Sequence, residues 1–165
     1  MRFQIYGKLL TKKDKKLLRQ FCRYTNTITK IKKSSALVRI YFLNEKNLKS
    51  NKDKQELRRY LAWINIFGSG NFTIIINENM INRNIHEPFK RLQNAMMCVG
   101  HELVHVKQYI NREMRDYVNG DVWYRGQRYT KWQEDEDYYF SPWEIESYGM
   151  EEGLVKCFKN KFYTK

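Results

Sequence analysis

From Pro88 onward, Phe89, Leu92, Met96, Val99, Leu103, Val106 and Ile110 recur at steps of three and four residues. That spacing lays apolar side chains along one stripe of a 3.6-residue helix and predicts a single long helix over 88–113. Pro88 suits its first turn, where a missing N–H forfeits no hydrogen bond. A helix of this length has to bury its stripe against a sheet or other helices, so the rest of the chain must be arranged around it.

The flanking patterns supply those partners. Segment 2–7 alternates like a strand, and 12–24 places Leu17, Leu18, Phe21 and Tyr24 on one helical face. Segment 35–43 is rich in β-branched and aromatic residues and predicts a second strand. The polar stretch 44–59 predicts loop with one or two helical turns. Segments 61–67 and 72–77 flank Gly68-Ser69-Gly70-Asn71 and predict a hairpin, and 122–132 predicts another around Gly126. Ser141-Pro142 opens a last helix over about 142–158, with Trp143, Met150, Leu154 and Phe158 inward. Strands first and helices last predict an α+β fold in one domain over 1–165. Its first half, 1–85, holds a small sheet with a helix, and its second, 86–165, is mainly helical.

Composition narrows the class further. At 42% hydrophobic and 15% aromatic residues, the chain can bury a core and does not read as disordered. No apolar run is long enough to span a bilayer, and the first residues lack the pattern of a signal peptide. Cys22, Cys98 and Cys157 are an odd, scattered set that reads as thiols in a reducing cytoplasm, not as a disulfide framework. The net charge of +13 is uneven: residues 1–60 carry 18 Lys and Arg against 4 Asp and Glu, and the remainder 13 against 14. The basic half predicts either a solvated surface or attraction to a polyanion such as nucleic acid, with Lys12, Lys13, Lys15, Lys16, Arg19, Lys32 and Lys33 as its candidates.

Inside the long helical stretch lies His101-Glu102-Leu103-Val104-His105, the pattern HExxH. Residues four apart share a helix face, so both imidazoles can reach one ion, while Glu102 sits beside it. Such an arrangement suits zinc, which acidifies a bound water and polarises a carbonyl while the glutamate accepts the water's proton. In a chain with only three histidines the pattern arises by chance roughly 3 times in 1,000.

A catalytic zinc takes three protein ligands and keeps one open position. His86 lies beyond Pro88, roughly 20 Å from His101 along the helix axis, so a downstream carboxylate is the better candidate. Glu144 and Glu146 flank the apolar face of the last helix on opposite sides, and periodicity does not choose between them. Ser141 and Glu144 also spell S-x-x-E, a capping box in which Glu144 would accept the Ser141 backbone N–H. The cluster Glu134-Asp135-Glu136-Asp137 reads as a solvated loop. Tyr124, Arg128, Tyr129, Tyr138 and Tyr139 are candidates for stabilising an oxyanion, and sequence does not rank them.

With these residues in place the chain resembles the gluzincins, zincin metallopeptidases with HExxH and a glutamate on a second helix in the pattern E-x-x-[A/S]-[D/N]. The match is Glu144-Ile145-Glu146-Ser147-Tyr148, with Tyr148 departing from the usual Asp or Asn. HELVHVKQY with PWEIESYG is also similar to small bacteriophage peptidases of this minimal kind, over residues 88–155. The resemblance implies a zincin-like fold, one Zn2+ per chain held by His101, His105 and Glu144, and Glu102 as the catalytic base. It also implies a protein or peptide substrate, in the host cytoplasm or virion if the chain is phage-encoded. The alternative is a phage structural or nucleic-acid-associated protein that keeps the zincin fold without the activity, binding its polyanion through residues 1–60.

Overall fold

The computed structural model describes residues 1–31, 35–67, 70–82, 88–130 and 138–163. Its strands are β1 (Arg2–Tyr6), β2 (Leu37–Leu43), β3 (Ala62–Phe67), β4 (Asn71–Asn77), β5 (Met114–Asp116), β6 (Val122–Tyr124) and β7 (Gln127–Tyr129). Its α-helices are α1 (Lys12–Ile28), α2 (Asn51–Arg59), α3 (Glu78–Asn82), α4 (Pro88–Ile110) and α5 (Pro142–Phe162). The architecture is α+β. One mixed sheet runs in the order β1-β2-β4-β3, and a small sheet runs β5-β6-β7. β1, β2 and β4 are parallel, whereas β3 pairs antiparallel to β4.

The sheet's alternation decides which face the helices cover. Val38, Ile40 and Phe42 of β2 and Phe72, Ile74 and Ile76 of β4 are buried together with Leu18, Phe21 and Cys22 of α1 and the apolar stripe of α4. Of the predicted stripe, Leu92, Met96, Val99, Leu103 and Val106 are buried and Ile110 is partly so; Ala95 joins them in the core. α1 begins at a capping box: Thr11 Oγ1 accepts the Asp14 N–H, and Asp14 accepts the Thr11 N–H. α5 closes the helical layer, with Leu154, Val155 and Phe158 in the main core. Trp143 lies in a second, smaller core with Met114 and Tyr124.

Several boundaries depart from the sequence pattern for local reasons. α4 stops at Ile110, short of 113, because Arg112 turns left-handed at φ 60°. The Glu113 N–H then returns to the Gln108 carbonyl at 2.7 Å, closing the helix end. The polar stretch gives a full helix, α2, capped by Ser50. The second hairpin turns on Arg125 and Gly126, both at positive φ, as a tight two-residue hairpin turn requires. Gly68 and Ser69, His86 and the acidic run 134–137 lie outside the described residues. Among the described residues no helix is long and apolar enough to cross a membrane.

Gly100, immediately before the first motif histidine, sets the spacing of the helices. A Cβ there would stand 3.3 Å from the Phe21 ring, tighter than ordinary contact, and 3.8 Å from Leu154, an ordinary contact distance, so its absence lets α1 close on α4. Phe21 has little room to yield, being fully buried and edge-on to Phe158 at 5.3 Å. Gly100→Val should therefore lower stability by about 1–3 kcal/mol in urea unfolding, despite removing a flexible glycine from mid-helix.

Candidate metal centre

His101 and His105 stand one turn apart on α4, with ring centroids 4.9 Å apart. Glu144, in the first turn of α5, reaches them across the helix pair. Its Oε2 lies 3.2 Å from His101 Nε2 and its Oε1 3.2 Å from His105 Nε2, while the two Nε2 atoms are themselves 3.2 Å apart. The structure thus brings His101, His105 and Glu144 together as a group that could hold a metal ion. An ion with donors at 2.0–2.1 Å in tetrahedral array separates neighbouring donors by about 3.3 Å, which matches the spacing of the two nitrogens and of each nitrogen from its nearer carboxylate oxygen.

The outer nitrogens decide what the inner ones offer. His105 Nδ1 faces Gln108 Oε1 at 2.8 Å, and His101 Nδ1 faces Glu151 Oε2 at 3.1 Å. Both partners are acceptors, so each Nδ1 carries a proton and each neutral ring presents the Nε2 lone pair inward. Two lone pairs and a carboxylate then converge on one buried point, and among the described residues the buried Glu144 Oε1 has only the His105 nitrogen, 3.2 Å away, beside it. Such a donor set is stabilised by a proton or a cation, and the residues fit a divalent ion with nitrogen and oxygen preferences.

Glu102 is 5% exposed and accepts no hydrogen bond among the described residues. Burial raises its pKa, and the nearby imidazoles oppose that rise only in part. Burial alone would lower the pKa of His101, yet contacts with Glu144 and Glu151 outweigh it and carry the value up to about 10. His105 is raised by Glu144 against the same opposition. Burial would raise the Glu144 carboxyl, but both histidines hold it well below the usual carboxylate range.

The rival carboxylate points elsewhere. Glu146 accepts from Lys107 Nζ at 2.7 Å, Gln108 Nε2 at 2.9 Å, Tyr124 OH at 2.8 Å and Arg125 Nη2 at 2.7 Å. The capping box does not form: the Ser141 N–H donates to the Tyr138 carbonyl, and the Ser141 hydroxyl makes no cap bond. Of the oxyanion candidates, Tyr138 brings its hydroxyl to Glu144. Tyr124 is engaged by Glu146, Arg128 by Asp121, and Tyr129 packs its ring on Trp143. Tyr139 packs against Tyr138 and Tyr148, and Tyr148 lies against the His101 ring at 4.6 Å. Sequence reading missed Gln108 and Glu151. Gln108 sits three residues after His105 and Glu151 seven after Glu144, both helical repeats, yet neither belongs to a motif.

No family model matches the chain, and no curated protein or solved structure is significantly similar to it.

The pKa directions fix a pH dependence. Without metal, the raised His101 adds stability that is complete below its ordinary value of 6.5 and fades as pH rises toward about 10, and the raised His105 contributes in the same direction. The depressed Glu144 adds stability above its ordinary 4.5 that is lost as pH falls. A metal must displace protons from both imidazoles, so its affinity should climb from pH 6 toward pH 9. At pH 7, calorimetry in buffers of different ionisation enthalpy should register proton release on binding.

Proposed function

We propose that this chain is a zinc-dependent peptide-bond hydrolase of the gluzincin kind, with His101, His105 and Glu144 as zinc ligands and Glu102 as general base. The observation that carries the proposal is the 3.2 Å triangle of donors, with each outer imidazole nitrogen turned to an acceptor. The α+β architecture, with the HExxH helix packed on a mixed sheet and a second helix bringing a glutamate across, is compatible with a zincin arrangement. The donor set of two imidazoles and one carboxylate is the chemistry zinc takes in catalytic sites.

A bound zinc ion supplies Lewis acidity, polarising the scissile carbonyl and making a water acidic near neutral pH. Glu102 does the proton work. Its buried carboxylate, free of protein hydrogen bonds among the described residues and raised in pKa, accepts a proton from the attacking water. The water oxygen bonds to the carbonyl carbon, the C–N bond breaks, and Glu102 hands the proton to the leaving amine. Tyr138, with its hydroxyl beside Glu144, is the side chain we assign to the developing oxyanion. Glu151 does for His101 what the family pattern asks of an Asp or Asn at Tyr148: it fixes the ring from its outer nitrogen.

Purified protein should contain one zinc per chain by elemental analysis, and Glu144→Ala should abolish tight binding. Glu102→Gln should retain the zinc and lose hydrolysis of a casein or peptide-library substrate. A wild-type protein without stoichiometric zinc, and not stabilised by adding it, would sink the proposal.

A second reading makes the chain a nucleic-acid-associated protein. It draws on Lys12, Lys13, Lys16 and Arg19, which lie exposed along α1 with no acidic partner among the described residues. Lys15 is instead committed to the Gly7 carbonyl. That reading expects binding of a labelled DNA or RNA oligomer that weakens steeply with salt and is lost in Lys12→Glu/Lys16→Glu. No binding at low salt leaves the charge as a solvated surface.

A further inference from the structure

We infer that Glu146 is a positioning residue for His105, acting through Gln108, and that it ties the β5–β7 sheet to the metal centre; the inference rests on the zinc reading above. Glu146 follows Glu144 by two residues, about 200° round the helix, so it points away from the imidazoles. It is nevertheless linked to one of them, His105, through the single side chain of Gln108. The Gln108 amide donates to the Trp143 carbonyl at 3.0 Å and to Glu146 Oε2 at 2.9 Å. With both hydrogens committed, Gln108 Oε1 is the atom left to face His105 Nδ1, at 2.8 Å.

The orientation of that amide matters chemically. Turned over, it would present N–H groups to Nδ1, which favours the imidazole tautomer with its proton on Nε2. That proton would occupy the lone pair a metal requires. Glu146 and the Trp143 carbonyl, both acceptors, exclude this arrangement. Ser147 acts in the same sense: its hydroxyl donates to the Trp143 carbonyl at 3.0 Å, so toward His105 Nδ1, 3.4 Å away, it can only accept.

The same carboxylate is the meeting point of the small sheet with the helices. Lys107 bridges Glu146 and Glu113 at 2.7 and 2.6 Å, and Arg125 bridges the same two at 2.7 and 2.9 Å. Tyr124 adds its hydroxyl from β6. Four alternating charges thus join α4, α5, the residue preceding β5 and the β6–β7 turn. The docking of that sheet and the aim of His105 depend on one side chain.

The test is a double-mutant cycle on zinc affinity, measured by competition with a chromophoric chelator. Gln108→Leu and Glu146→Ala should each weaken zinc binding about 10- to 100-fold. The double variant should be no weaker than the worse single within about threefold, since both break one relay. A swap keeps the test open if Glu146→Ala folds poorly. Gln108→Glu alone sets two carboxylates face to face and should weaken binding, whereas Gln108→Glu with Glu146→Gln restores an acceptor for His105 and a donor behind it, and should recover affinity. Additive losses, a Glu146→Ala affinity within twofold of wild type, or a swap that recovers nothing would overturn the relay alone. A wild-type chain that takes up no zinc overturns the metal reading and this inference with it.

Discussion

Two imidazole nitrogens and a carboxylate, each 3.2 Å from the others and largely buried, form an arrangement that a protein does not hold without a charge to share. In the metal-free chain that charge is a proton, which is why both histidines are pushed upward and Glu144 downward. The fold supplies the rest of the constraint. α4 fixes His101 and His105 one turn apart, α5 brings Glu144 across, and Gly100 admits the close approach of α1. The helices cannot slide without breaking the triangle, so the polar centre and the apolar packing specify the same register.

Much of this was legible in the sequence because period and spacing are local quantities. The stripe of α4 is continuous over more than five turns, so its existence followed from Leu92 to Ile110. The hairpin around Gly126 follows from the residues whose backbone the turn needs. What the sequence did not reveal depends on distant partners. Nothing in 2–7 or 35–43 says that the strands pair parallel, or that β4 inserts between β2 and β3, since that order is decided by crossovers and by which face each helix covers. α4 ends three residues before the spacing implies because Arg112, not a glycine, takes the left-handed position.

The candidate site divides in the same way. HExxH stands out because its two histidines and its glutamate lie within five residues of one helix. The choice between Glu144 and Glu146 was not available from the wheel, since both flank the same apolar face at similar angles. In the structure two histidines stand opposite Glu144, and Lys107 and Arg125 opposite Glu146. Gln108 and Glu151 were invisible for another reason. Their roles are to accept hydrogen bonds from Nδ1 atoms, and any of several polar residues can do that from several positions. The departure at Tyr148 shows this. Its ring packs against His101, and the acceptor that His101 needs arrives from Glu151, one turn further along α5.

α5 therefore serves two electrostatic environments with alternate faces of its first turns. Glu144 faces two imidazole nitrogens in a buried setting, where a carboxylate is tolerable only with a proton or cation beside it. Burial would raise the Glu146 carboxyl, but hydrogen bonds from Lys107, Gln108 and Tyr124 hold it down at about 2, so it stays ionised and cannot compete for the site's proton. Had the two been exchanged, the basic residues beneath the small sheet would have lost their counter-charge and the imidazoles their third partner. The two-residue offset on one helix is what keeps a structural carboxylate and a chemical one apart while leaving them linked through Gln108.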